Sequence, residues 1–102
     1  MTPPPKKRIL TSDLRGLFNE KYIPEIQKGN LQATIVKDNH PSPLRSNQPY
    51  CTRSQLLEYR DKAGNVIVKA HQYLQKDGRI GGSGRPDPKY LLHDGVILIP
   101  DP

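Results

Sequence analysis

Hydrophobic and polar residues alternate between residues 52 and 82, and this alternation predicts antiparallel strands. Two apolar-polar runs, 55–60 and 65–74, flank the turn residues Asp61-Lys62-Ala63-Gly64 and are typical of a β-hairpin. A second turn, at Lys76-Asp77-Gly78, leads into a short strand at 79–80. We therefore expect a three-stranded meander in this part of the chain.

The two-residue period also assigns the side chains of the meander to two faces. The face that we expect to be buried beneath a helix carries Leu57, Tyr59, Val66, Val68, Ala70 and Leu74. The opposite face carries Leu56, Glu58, Arg60, Ile67, Lys69, His71 and Tyr73. A register slip of one residue would exchange the two faces.

An amphipathic helix is expected to begin at Ser12. The spacing of its apolar residues places Leu14, Leu17, Phe18 and Tyr22 on one side. Pro24 lacks an amide hydrogen and predicts a kink or break near Ile23, and Gly29 is a suitable stop for one further turn. The helix therefore has an apolar face with which to cover the sheet.

The remaining segments complete the predicted architecture. Residues 31–37 and 96–99 have strand patterns, while 38–50 contains three prolines and predicts a long loop that is either functional or poorly ordered. Asp87 followed by Pro88 predicts the start of a short helix that runs to Leu92.

These elements predict an α+β fold in which an N-terminal helix packs on a small antiparallel sheet. The sheet consists of the three-stranded meander plus one or two added strands, and a short second helix lies near the C-terminus. Residues 1–10, with Pro3-Pro4-Pro5-Lys6-Lys7-Arg8, predict a flexible basic arm, and 11–102 predict a single domain.

Charge suggests a class of partner. Sixteen Lys and Arg against ten Asp and Glu give the 102-residue chain a net charge of +6 and a pI near 9.6. A basic surface attracts polyanions such as RNA and DNA, although many small basic proteins are charged for solubility alone.

Cysteine and histidine usage narrows the chemistry. Cys51 is the single cysteine, so neither an intrachain disulfide nor a cysteine-based zinc site is available. Spacing typical of a metal site or a nucleotide-cofactor motif is absent from the sequence, so we expect neither group. With no pattern typical of a secretion signal or membrane span, we expect a cytoplasmic protein without membrane contact.

The leading hypothesis is a binding protein that contacts nucleic acid, RNA or single strands above all, through its polar sheet face and its basic N-terminal arm. Cations interleaved with tyrosines favour phosphate contact and base stacking. The candidate binding residues are Arg53, Arg60, Lys69, His71, Tyr73, Arg79 and Arg85. The glycines of Gly81-Gly82-Ser83-Gly84 form either an anion-binding turn or a flexible connection.

Three other interpretations remain open. The chain is alternatively a metal-independent ribonuclease of the toxin type, with His71, Tyr73 and Arg60 as candidate catalytic residues. It is alternatively a protein-interaction module or an accessory subunit of a larger complex, since Leu56 and Ile67 are apolar positions on a polar face. The polar face is also compatible with an ordinary solvated sheet surface.

Overall fold

A computed structural model describes residues 2–39, 49 and 51–101. The strands are β1 (Lys6–Leu10), β2 (Gln32–Asn39), β3 (Arg53–Arg60), β4 (Val66–Leu74), β5 (Asp87–His93) and β6 (Val96–Asp101). Between β1 and β2 lie α1 (Thr11–Leu17), a π-helical turn (Phe18–Tyr22) and α2 (Ile23–Gln27), which follow one another without a break.

All six strands form one mixed sheet in the order β1-β6-β5-β4-β3-β2. Four neighbouring pairs are antiparallel, and β1 runs parallel to β6 at one edge. The predicted fold class is therefore wrong: in place of the expected small antiparallel sheet with two helices, the described residues form a larger mixed sheet with one helical segment.

The predicted second helix is replaced by strand β5. Asp87-Pro88 is a favourable helix start locally, but this segment lies between β4 and β6 and supplies hydrogen bonds to both. Pairing with β6 begins only at Leu91, so Pro88 occupies a part of β5 that has β4 as its one neighbouring strand. A missing amide hydrogen is tolerated at such a position.

The helical segment passes through Pro24 because of the π-helical turn before it. Wider hydrogen bonding over Phe18–Tyr22 accommodates the missing proline amide, as π-bulges commonly do. The segment ends at Gly29, whose φ of +81° lets Gly29 and Asn30 donate their amides back to Ile26 and Glu25.

The core lies between the helical segment and one face of the sheet. Leu14 and Phe18 are fully buried against the sheet residues Leu57, Tyr59, Val68, Ala70, Leu91 and Leu98. Leu17 and Tyr22 are partly buried against the same cluster, as the helical spacing predicts. The expected burial of Leu57, Tyr59, Val68 and Ala70 is confirmed.

The sheet face opposite the helix is here called the open face. Strand register places on it Lys6 and Arg8 of β1, Ile97, Ile99 and Asp101 of β6, Asp87, Tyr90 and Leu92 of β5, Lys69, His71 and Tyr73 of β4, and Ser54, Leu56 and Glu58 of β3. Ile67, expected on this face, lies at a bulge of the β3–β4 pairing and packs against the core cluster instead. Residues 6–10, expected within a flexible arm, thus form an edge strand of this sheet. The predicted 38–50 loop begins with β2 residues Asp38 and Asn39 and otherwise falls largely outside the described residues.

Candidate nucleic-acid interface

Lys69 lies at the centre of the open face, between β3 and β5. Its register partners are Glu58 and Tyr90. The Lys69 Nζ is 4.9 Å from the centroid of the Tyr90 ring and 4.0 Å from Oε2 of Glu58. The Lys69 ammonium therefore lies beside an aromatic ring on the same surface that bears His71.

His71 joins β3 and β4 through a side-chain hydrogen bond on this face. Its Nε2 is 2.8 Å from Oγ of Ser54, and its ring meets the Tyr73 ring edge-on with centroids 4.6 Å apart. Partial burial lowers the pKa of His71 below its usual 6.5, the charge of Lys89 lowers it further, and Asp87 opposes both. The imidazole is consequently neutral at pH 7, with one nitrogen able to accept a proton.

A pocket of about 310 Å³ opens beside His71 where the long β4–β5 connection crosses the end of the sheet. This Gly-loop pocket is lined by Arg15, His71, Gln72, Tyr73, Gly81, Gly82, Ser83, Arg85 and Asp87. The Gly81 amide donates to the Tyr73 carbonyl oxygen at 2.8 Å and ties the loop to β4. The polar end of the open face, the glycine loop and a helix residue therefore share one cavity.

Asp87 organises the cations around this pocket. Arg15 Nε donates to its Oδ1 at 2.7 Å, and Lys89 Nζ donates to its Oδ2 at 2.9 Å. Burial raises the pKa of Asp87, but hydrogen bonds from Arg15 and Lys89 outweigh that effect and leave the pKa below its usual value. The carboxylate is thus charged and already paired, whereas Arg85 has no ion pair with any carboxylate in the described part of the chain.

The structure brings together only some of the residues predicted to contact nucleic acid. His71, Tyr73 and Arg85 line the Gly-loop pocket, and Lys69 lies two residues before His71 on the same face. By contrast, Arg53 pairs with Asp38 at 3.0 Å and Arg79 pairs with Asp77 at 3.3 Å, both outside the pocket.

Arg60 also lies away from the pocket. It donates to Glu58 and to the carbonyl oxygen of Gly64, each at 2.9 Å, beside the β3–β4 turn. The proposed catalytic trio of His71, Tyr73 and Arg60 therefore does not converge, and Arg15 and Arg85 take the place that sequence reasoning gave to Arg60.

Sequence reasoning did not identify Arg15, Ser54 or Asp87 as site residues. Arg15 lies on the helix and meets Asp87 across 72 positions of sequence, so no local pattern connects them. The hydrogen bond of Ser54 to His71 does follow from the hairpin register, because Ser54 is the diagonal neighbour of His71 across β3 and β4. The hairpin register was therefore the one sequence feature from which a missed residue, Ser54, could have been identified.

The described residues around Cys51 and His93 do not form a further catalytic or metal site. Cys51 lines a separate cavity with Arg53, Lys76 and three other described residues, none of which is a histidine. His93 is held by Tyr22, whose Oη lies 2.6 Å from Nδ1 of the imidazole. Within the described ranges, no group of three or more His, Cys, Asp or Glu is arranged to hold a metal ion.

None of the described helices is long and apolar enough to cross a membrane. Comparison of the chain with protein-family models, with curated proteins and with solved structures gives no match.

Proposed function

We propose that this protein binds single-stranded RNA, with a backbone phosphate held in the Gly-loop pocket. The observation that carries the proposal is the convergence of Arg15, Arg85, His71 and Tyr73 around one cavity beneath a glycine-rich loop. Guanidinium groups are strong donors to phosphate oxygens, and Arg85 is the pocket arginine without an ion pair among the described residues, since Arg15 is paired with Asp87. The net charge of +6 supports the same class of ligand.

A neutral imidazole in the pocket favours RNA over DNA. His71 lines the pocket, and its Nε2 is held by Ser54 beside the pocket, so the imidazole is oriented to exchange a hydrogen bond with a ribose 2′-hydroxyl. Tyr73 adds an aromatic ring at the same end of the sheet, where an unpaired base has room to stack. A double helix offers neither an unstacked base nor a backbone narrow enough for this cavity.

Fluorescence anisotropy with labelled single-stranded RNA tests the proposal. We expect binding at about 50 mM salt that weakens as salt rises, because phosphate contacts release counterions. Arg85→Ala should weaken binding roughly tenfold, the effect of losing one charge-assisted hydrogen bond. Single-stranded DNA of the same sequence and a duplex should bind less tightly.

Arg79→Ala is the matched control for that variant. It removes the same charge from the same β4–β5 connection, but Arg79 lies outside the pocket, is 81% exposed and pairs with Asp77. An equal loss of affinity in the two variants would show that general charge, rather than the pocket, binds RNA. Absence of salt-dependent binding by the unmodified protein would contradict the proposal outright.

A second candidate function is metal-independent RNA cleavage in the same pocket. It is favoured by one observation, the neutral His71 placed beside Tyr73 and two arginines. In this reaction His71 accepts the proton of the 2′-hydroxyl, whose oxygen attacks the adjacent phosphorus. Tyr73 donates a proton to the departing 5′-oxygen, and the arginines stabilise the phosphorane. The products are a 2′,3′-cyclic phosphate and a 5′-hydroxyl.

Cleavage is tested by incubating RNA with the purified protein and a chelator and by resolving the products on a gel. We expect His71→Ala to abolish cyclic-phosphate formation but to weaken RNA binding only by the loss of one hydrogen bond, because the arginines remain, and to relieve any growth inhibition that expression causes. Intact RNA after prolonged incubation with the wild-type protein would leave binding as the function of the pocket.

A further inference from the structure

We propose that RNA held in the Gly-loop pocket continues across the open face to β1, where Lys6 and Arg8 contact its phosphates. This inference rests on the proposed function and extends it from a single phosphate site to a track across the sheet. It assigns the phosphate contacts of the N-terminal basic run to two residues of an ordered strand, which the sequence alone does not reveal.

The register of β1 divides the basic run between the two faces of the sheet. Lys6 is the partner of Ile97 and Arg8 is the partner of Ile99, so both lie on the open face. Lys7, between them, is the partner of the core residue Leu98 and belongs to the helix side. Two of the three consecutive cations thus face the surface that bears Lys69 and His71.

Lys6 and Arg8 are available to bind an anionic ligand. Both are exposed, and neither forms an ion pair with a carboxylate among the residues that the structure describes. Glu58, the open-face carboxylate of β3, lies four strands away from β1 and is engaged by Arg60. The open-face carboxylate beside β1 is Asp101, which forms no ion pair with Lys6 or Arg8.

Neighbouring strands connect the two ends of the track. From Lys69 on β4 the sheet order runs through β5 and β6 to β1, which is three strand spacings, or roughly 14 Å. The open-face side chains along this way are uncharged: Tyr90, Leu92 and Ile99 are partly exposed, whereas Ile97 between them is only 6% exposed and forms the floor of the track.

An uncharged centre between two groups of cations suits a single strand of RNA. Bases contact aromatic and aliphatic side chains, while phosphates contact lysine and arginine. Asp101 occupies the next open-face position of β6 beyond Ile99, beside the exposed Leu10, and its negative charge marks one boundary of the track. The surface thus has the charge distribution that a bound single strand requires.

A pair of variants in the basic run tests the track. We expect Arg8→Ala to weaken binding of a decanucleotide RNA roughly tenfold, the loss of one charge-assisted phosphate contact. It should also reduce the slope of log affinity against log salt by about 0.7, the value for one phosphate of a single strand. Lys7→Ala removes the same charge from the adjacent residue on the other face and should change affinity and slope much less.

The outcomes separate this inference from the proposed function. If Arg85→Ala weakens binding whereas Arg8→Ala and Lys7→Ala behave alike, the pocket binds RNA but the track is wrong. If the unmodified protein does not bind the decanucleotide, the proposed function fails and the track fails with it. Thermal unfolding of each variant, with midpoints expected within a few degrees of wild type for these exposed positions, ensures that folded proteins are compared.

Discussion

His71 shows how the surroundings of one side chain determine its chemistry. In β4 it lies beside the hydroxyl of Ser54 on β3 and the ring of Tyr73, the next open-face residue of its own strand. Its register partner on β5 is Asp87. Partial burial and the charge of Lys89 lower its pKa, and Asp87 counteracts this only in part. The imidazole is thereby kept neutral in a basic protein, which suits hydrogen bonding to a hydroxyl and proton acceptance alike.

The lowered pKa of His71 has a consequence for stability. The unfolded chain, with a pKa near 6.5, takes up a proton at higher pH than the folded chain does. The free energy of unfolding should therefore fall as the pH is lowered below about 6.5 toward the folded-state pKa. Urea unfolding at about pH 7.5 and pH 5.5 measures this change.

His71→Gln provides the comparison, because it keeps a polar group near Ser54 but does not titrate. We expect its loss of stability between the two pH values to be smaller than that of wild type. Identical pH dependence in the two proteins would show that other groups cause the effect.

Two glycines of the helical segment between β1 and β2 have different backbone conformations. Gly16 lies within α1 with ordinary helical geometry, whereas Gly29 follows the end of α2 with φ of +81°. A Cβ placed on either glycine meets no atom within 4 Å. Any effect of substitution therefore arises from backbone conformation rather than from packing.

Alanine at these two positions should have opposite effects. Gly16→Ala should raise the free energy of unfolding by about 0.5–1 kcal/mol, because alanine restricts the unfolded chain and favours helix. Gly29→Ala should lower it by about 1 kcal/mol, because alanine disfavours the left-handed conformation. Denaturant titration of both variants measures the difference, and a change of the same sign in both would contradict the description of α2's end.

Local patterns predicted the parts of the fold that depend on local interactions. The β3–β4 hairpin, the buried side of these strands and the apolar side of the helix follow from periods of two and 3.6 residues. Asp87–His93 was predicted wrongly because Asp-Pro starts helices as well as strands, and the hydrogen-bonding positions offered by β4 and β6 decide between them. The position of β1 likewise depends on β6, since the paired residues, such as Lys6 and Ile97, are more than ninety positions apart.

The six-stranded sheet extends beyond the helix that covers it. The helix packs near β1, β5 and β6, and every residue of β2 at the opposite edge is exposed. The side chain of Ile35 is 52% exposed, although its register partner on β3, the core residue Leu57, is only 3% exposed. Stability is therefore distributed unevenly across neighbouring strands.

Alanine substitutions at the two residues of this cross-strand pair should lower the free energy of unfolding by very different amounts. Leu57→Ala should lower the free energy of unfolding by about 2–5 kcal/mol, because it opens a cavity in the core. Ile35→Ala should cost less than about 1 kcal/mol, since much of its side chain is already in water. Equal costs, measured by chemical denaturation, would indicate that β2 is covered in solution.

The sequence by itself determined where the helix and the central hairpin form, which of their residues turn inward and that the chain is basic. These properties follow from periodicity, turn residues and charge, which act over a few positions. Only the tertiary structure decided that residues 87–93 form a strand, that Lys6 and Arg8 join the open face and that Arg15 and Arg85 meet beside His71. Those outcomes depend on hydrogen-bonding edges and charges supplied by distant parts of the chain, and no local pattern encodes them.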